Sequence, residues 1–186
     1  NMFKVIRKSK DEEVKISVKS ISDGHHQVTY KGIKAIRCPF DYLIYQMIIW
    51  EVKPDLVIEI GTNVGGGALY IADLLESIGK GIVHTIDLEI ISDPLLLKNN
   101  RIKLFSGGWD SYNVDLAKNF DKVLIIEDAS HLYIDTLGVL NKFHSLVSKD
   151  SYFIIEDGII NELGLEKEYQ GGPLKAIREF LPIHPE

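Results

Sequence analysis

Three carboxylates, Asp128, Glu156 and Asp157, follow directly after two of the chain's apolar runs. Ligands of an open parallel sheet bind beyond the carboxyl ends of its strands, so side chains placed there are the candidates for chemistry. Carboxylates a few ångströms apart raise one another's pKa, and such clusters hold a cation or keep one member protonated. An all-oxygen set suits Mg²⁺ or Ca²⁺ better than zinc, so Asp128, Glu156 and Asp157 are expected to hold magnesium. Strand alternation should turn Glu127 away from them. The plainer alternative is that one or two of these carboxylates cap the helices that follow. His131, three residues after Asp128 and near a helix start, is expected as a general base or a further metal ligand, with an ordinary surface histidine as the alternative. His25, His26, His84, His144 and His184 have no metal-ligand spacing, and His84, inside an apolar run, is expected to be a satisfied core or edge residue.

The first apolar run ends in Glu59-Ile60-Gly61-Thr62-Asn63-Val64-Gly65-Gly66-Gly67, a glycine-rich turn entering a helix. Glycines there allow close backbone approach to a ligand and positive φ angles. The spacing is not the dinucleotide fingerprint, because Thr62 and Asn63 follow Gly61 before the cluster at Gly65. Glu59 suits a ligand bearing an ammonium group better than a pyrophosphate, which favours S-adenosylmethionine over a dinucleotide. Asp87 ends the second run where an acidic residue bonds ribose hydroxyls, with Glu89 as the nearby substitute. After the third run, Gly107 permits close approach and Trp109 is placed to cover an adenine ring. The expected cofactor set is therefore Glu59, Gly61, Thr62, Asn63, Gly65, Gly66, Asp87, Gly107 and Trp109. Turns and aromatic residues of this kind also serve packing alone.

The elements that must position these residues are legible as short apolar runs separated by helical stretches, the pattern of a buried parallel sheet with crossover helices. Strands are expected at Leu56 to Ile60, Ile82 to Ile86, Ile102 to Phe105, Lys122 to Ile126 and Tyr152 to Ile155. Helices are expected at Gly66 to Ile78, about Tyr112 to Asn119, His131 to Val147 and Leu174 to Phe180, with a leading helix between Pro39 and Pro54. Near-continuous apolar runs put helices on both faces of the sheet. Residues 1–29 are read as an extension and residues 30–186 as the core of one domain. In the extension, Val14, Ile16 and Val18 suggest a strand or hairpin arm before a turn at Ser22-Asp23-Gly24. The polar segment Asn161 to Gly171 is expected to be a lid.

A chain of 186 residues with 45% hydrophobic content suits one domain with one sizeable core. Its 21 basic and 27 acidic residues give a net charge of -6, which argues against nucleic acid as a partner. No apolar stretch approaches the roughly 20 residues that cross a bilayer, and the opening does not resemble a signal peptide, so no membrane partner and a cytoplasmic setting are expected. The lone Cys38 is expected to be a half-buried free thiol. Asn1 precedes Met2, the expected natural start, and is left aside.

The stretch Lys53-Pro54-Asp55-Leu56-Val57-Ile58-Glu59-Ile60-Gly61-Thr62 with Gly65-Gly66-Gly67-Ala68 resembles the first motif of the cephalosporin hydroxylase family. Asp128 with His131, Ile155-Glu156-Asp157, and Gly172-Pro173-Leu174-Lys175-Ala176-Ile177 before Phe180-Leu181 extend the resemblance. It runs from about Tyr30 to Leu181 and includes Pro39-Phe40-Asp41. The resemblance implies a Rossmann-like class I methyltransferase fold of the α/β class, in a family that includes rhamnosyl-type sugar O-methyltransferases and uses magnesium. It places the metal ligands on Asp128, Glu156 and Asp157, similarly to catechol-type O-methyltransferases. The chain ends at Pro185-Glu186, before the last antiparallel strands such enzymes carry, so it is expected to be cut short or to have a minimal sheet edge.

The resulting expectation is an S-adenosylmethionine- and Mg²⁺-dependent O-methyltransferase. It would act on a hydroxyl of a small molecule, a natural product or sugar, with Asp128 and His131 catalytic and with room for a homo-oligomer. A non-catalytic cofactor-binding subunit supporting a partner enzyme is the alternative. Hydroxylation, as the family name suggests, lacks a convincing two-His, one-carboxylate iron triad. A dehydrogenase is disfavoured by the glycine spacing.

Overall fold

The computed structural model describes residues 16–90 and 93–184. Five parallel strands form the central sheet: β3 (Leu56–Ile60), β4 (Ile82–Ile86), β5 (Ile102–Phe105), β6 (Val123–Glu127) and β7 (Phe153–Ile155), in the spatial order β5-β4-β3-β6-β7. They are preceded by α1 (Val18–His25), the ribbon strands β1 (Thr29–Tyr30) and β2 (Ile33–Lys34), and α2 (Pro39–Val52). The crossovers carry α3 (Gly66–Ser77), α4 (Pro94–Leu97) and α5 (Tyr133–Phe143), and α6 (Gly172–Phe180) follows β7. This is the expected α/β, Rossmann-like architecture, with β3, β4 and β5 where the apolar runs place them, β6 shifted by one residue and β7 one residue shorter.

Period-2 alternation divides the strand residues between two cores. Val57, Val83, Leu124 and Ile126 face α2 and α3, packing with Tyr45, Ile49, Ala68, Ile71 and Leu75. Leu56, Ile58, Ile60, Val123 and Ile125 face the other way, onto Val139 and Phe143 of α5 and onto Tyr112. Both faces are covered, so the strands read as unbroken apolar runs. His84 is buried on the second side, its Nδ1 2.7 Å from the Tyr112 hydroxyl, and burial lowers its pKa to about 4, which keeps it a neutral core residue.

Several local expectations are corrected. The alternating segment near Val18 is helical, because Ser17 and Ser20 cap α1 reciprocally and Lys19 pairs with Asp23 one turn on. Val14 lies outside the described residues. No helix spans Tyr112 to Asn119; two 3₁₀ turns, Trp109–Ser111 and Val114–Leu116, take its place, the second capped by the Asn113 side chain on Asp115 N. Such local side-chain bonds compete with helix formation. The long helix expected from His131 starts at Tyr133, because His131 has φ 60°, outside helical geometry, and it gives way at His144 to a 3₁₀ turn. The β1–β2 ribbon was not foreseen. Lys31 and Gly32 turn it with φ 49° and 83°, the left-handed pair of a tight hairpin.

Register is what positions the site. Ile60 is aligned with Ile86 on one side and Glu127 on the other, and these are aligned with Phe105 and Ile155. The next residues, Gly61, Asp87, Asp128 and Glu156, therefore emerge as one row along the carboxyl edge. Backbone bonds continue across that row, Gly61 N to Ile86 O at 2.8 Å, Asp128 N to Ile60 O at 2.8 Å and Glu156 N to Glu127 O at 2.9 Å. The chain leaves β3 toward β4 and β5 and later returns to β6 on the opposite side, so the crevice above β3 is the topological switch point.

Candidate active site

A cavity of about 740 Å³ opens at this switch point, within the size range of small-molecule and cofactor sites. One half of its wall comes from the glycine turn and the end of β4. At Gly61, φ is 106° and an added Cβ would stand 1.9 Å from the Asp128 carbonyl oxygen, so only glycine lets β3 and β6 end this close together. The Asp87 carboxylate is held by two backbone donors, Asn63 N and Leu88 N, each at 2.7 Å. Thr62 and Thr85 share a hydroxyl contact of 2.7 Å behind the turn. Thr85 in turn donates to Glu59 at 2.6 Å. Glu59 is buried, and burial raises its carboxyl to about 7 against the opposing pull of Arg37.

Arg37 is the residue that sequence reasoning missed. It sits in the loop between β2 and α2 and is only 4% exposed. Its Nη2 donates to Asp128 Oδ2 at 2.6 Å, and its Nε lies 2.7 Å from Glu156 Oε1. Glu59 is 3.8 Å away. Nη1 is buried without a hydrogen-bond partner among the described residues. Burial opposes the charge of Arg37, and Tyr45 with the carboxylates of Glu156, Asp128 and Glu59 outweighs it, so the guanidinium stays protonated. Tyr45, on the inner face of α2, donates to Glu156, and its ring lies 4.8 Å below the guanidinium carbon. The signal available in sequence was weak: Arg37 stands two residues before the Pro39-Phe40-Asp41 segment, and Tyr45 belongs to an apolar helical stripe.

The other half of the wall carries the acidic group. Asp128 and Glu156 are both held above the ordinary carboxylate range, chiefly by burial; Asp157 adds to the shift at Asp128, Asp128 adds to it at Glu156, and Arg37 opposes both. Asp157 and His131 face each other, His131 Nδ1 lying 3.1 Å from Asp157 Oδ2 but out of line for a hydrogen bond. Both have left-handed backbones, φ 56° and 60°. Non-glycine residues in that region store strain, a pattern that clusters at ligand sites. Ligand atoms of Asp128, His131 and Asp157 all lie within 4.8 Å of one another. The Nδ1 of His131, buried without a hydrogen-bond partner among the described residues, stands beside two carboxylates, a mixed nitrogen and oxygen donor set that can hold a divalent cation but is less selective for Mg²⁺ than the all-oxygen set expected from the sequence.

Of the expected metal set, Asp128 and Asp157 come together with His131, and Glu156 is turned to Arg37 and Tyr45. Glu127 points away, accepting from Thr136 at 3.3 Å. Among the expected cofactor residues, Glu59, Gly61, Thr62, Asn63, Gly66, Asp87 and Trp109 line the cavity. Gly65 lies behind it as the left-handed N-cap of α3, and Gly107 is exposed beside Gly108, which does line it. Trp109 is half-buried and lies against α5 at Gly138, where an added Cβ would stand 2.4 Å from its ring. Leu163, Leu165 and Tyr169 reach the cavity from the segment after β7, and His25 and His26 reach it from the end of α1.

The model of the family described as rhamnosyl O-methyltransferase/CmcI matches residues 23–186. The rhamnosyl O-methyltransferase of Mycobacterium bovis (strain BCG / Pasteur 1173P2) is 30% identical over 162 residues, covering 83% of this chain and 66% of that protein. The chain thus spans about two thirds of the length of that curated relative. Among solved structures, the apo structure of CmcI superposes with a TM-score of 0.64 at 20% identity, covering 90% of this chain and 76% of that one. The Mg-SAM structure of CmcI gives 0.58 at 23% identity, covering 82% and 67%. These structural likenesses show a shared fold. With the match running through the glycine turn, Asp128, Glu156 and Asp157, the chain belongs to the rhamnosyl O-methyltransferase/CmcI family.

Proposed function

We propose that this protein is an S-adenosylmethionine- and Mg²⁺-dependent O-methyltransferase acting on a hydroxyl of a small molecule, a sugar or natural product. The observation that carries it is the joining, in one cavity at the switch point, of the Gly61–Gly67 turn and Asp87 with the Asp128, His131 and Asp157 cluster. The rhamnosyl O-methyltransferase name of the relatives and the Mg-SAM state of CmcI agree with both halves.

In this reading Glu59 takes the ammonium of the methionine part of the cofactor, Asp87 bonds the ribose, and Trp109 covers the adenine. Asp128, Asp157 and His131 Nδ1 would hold the cation, while Arg37 and Tyr45 fix Glu156 behind them. The chemistry Mg²⁺ supplies when bound is to lower the pKa of the acceptor hydroxyl and hold its oxygen near the sulfonium methyl. A carboxylate of the Asp128, Glu156 and Asp157 cluster would take the proton of the acceptor hydroxyl, whose oxygen would receive the methyl as the carbon–sulfur bond breaks and the sulfur keeps that electron pair. Segment 161–171, through Leu163, Leu165 and Tyr169, closes the acceptor side and excludes water. The proposed setting is the cytoplasm, where a half-buried thiol such as Cys38 stays reduced.

The test is a calorimetric titration of S-adenosylhomocysteine with Mg²⁺ and again with chelator, followed by methyl transfer to a panel of hydroxylated acceptors including rhamnosides. Saturable binding and metal-dependent transfer are expected. Absence of binding in both conditions overturns the reading. A second reading is favoured by the Arg37 guanidinium already lying between Asp128 and Glu156. In it the chain is a cofactor-binding subunit without transfer chemistry, and cofactor binding that never responds to divalent cations would select it.

A further inference from the structure

Helix α2 buries Tyr45, Ile49 and Val52 against the sheet. Its opposite side presents Phe40, Leu43, Ile44, Met47 and Trp50, exposed by 66, 61, 49, 60 and 59%. Their spacing of three and four residues places them in one stripe along the helix. Glu51, at one end, is the only exposed charged residue of α2. Lys53, just past the helix, lies over the Trp50 ring at 5.4 Å, and Glu51 accepts from the Tyr152 hydroxyl at 3.4 Å, which gives the stripe a polar rim. The face has the anatomy of a protein interface, an apolar centre with charges at its border.

The stripe offers roughly 600 Å² of apolar surface, at the upper limit of what monomeric proteins expose in one patch. Two such faces, if fully covered by each other, remove about 1,200 Å² from water, the lower end of the range for stable specific dimers. A stripe without internal charge meets its own copy with no like-charge contact, and a two-fold axis between Ile44 and Met47 sets Phe40 of one copy beside Trp50 of the other. Three of the five, Phe40, Met47 and Trp50, are unbranched or aromatic, suited to interdigitation across a helix pair. We propose that the outer face of α2 is the interface of a homodimer, formed by antiparallel packing of two copies of this helix. The pairing would act on the cavity from behind, because the inner side of the same helix carries Tyr45 on Glu156 and Tyr42 in the cavity wall. This inference stands independently of the methyl-transfer reading.

Sedimentation velocity on the whole chain tests it, with Leu43→Glu and Met47→Lys as separate variants and circular dichroism as the check on folding. The wild type is expected at twice the 21.0 kDa of one chain. Each variant, altering an exposed side chain, is expected to stay folded and to weaken association roughly a hundredfold, a loss typical of central interface residues. The two charges are of opposite sign, so mixing the variants should restore part of the dimer. A wild type that remains monomeric at high concentration overturns the proposal, as does a dimer that neither substitution affects. Binding of the face by another segment of this same chain would appear as the first of these.

Discussion

At the scale of single residues, Glu156 and Asp157 are neighbours in sequence with different partners. Glu156 is engaged by Arg37 and Tyr45, whereas Asp157 stands against His131 and Asp128. Asp157→Asn is therefore expected to lower affinity for Mn²⁺, read by electron paramagnetic resonance, by more than about a hundredfold, and Glu156→Gln, which disturbs only the support behind the ligands, by clearly less. A loss at Glu156→Gln equal to that at Asp157→Asn would put Glu156 among the ligands instead. The carboxylates themselves were legible in sequence because they end apolar runs. Arg37 was not, because nothing local to residues 35 to 38 says that Asp128 and Glu156, far along the chain, will arrive beside it.

At the scale of elements, the close approach of β3 and β6 depends on Gly61. Gly61→Ala places a methyl 1.9 Å from a backbone oxygen in a left-handed conformation, and neither can relax without parting the strand ends. A loss of about 3 kcal/mol in urea denaturation is expected, together with weaker S-adenosylhomocysteine binding. Gly24→Ala, within α1 and with nothing within 4 Å of the added carbon, serves as the control and should leave stability unchanged or raise it by up to about 1 kcal/mol. Elements set by long apolar periodicity were legible almost to the residue, as at β3, β4 and β5. Those set by short-range polar bonding were not: the Ser17 and Ser20 caps made a helix of what alternation suggests is a strand, and Asn113 helped to break the helix expected after Tyr112.

At the scale of the whole molecule, the carboxyl edge concentrates acid groups that prefer to be protonated. Burial raises Glu127 to about 7, against bonds from Ala129 and Thr136, and Glu59 rises to about 7 as well. Their folded pKa values exceed the unfolded ones, so the folded state binds more protons between roughly pH 4.5 and pH 7. Stability from these groups is complete below that window and is lost as pH rises through it. The metal-free protein is thus expected to melt several degrees higher near pH 5.5 than near pH 8, and Glu127→Gln, which removes one titrating group, should flatten the dependence. A melting temperature that rises across the same interval would contradict the burial of these charges.

The sequence by itself determined the sheet, its helical cover and the glycine turn, because a buried parallel strand must be apolar on both faces and a tight ligand-facing turn must lack side chains. It also determined which acidic residues leave the strands at the carboxyl edge. Only the tertiary structure decided how those residues divide their partners, because that depends on strand order, on register, and on a loop arginine packed beneath them. The same holds for α2, whose apolar residues look alike in sequence. Packing against the sheet consumes one side of the helix and leaves the other for a second surface.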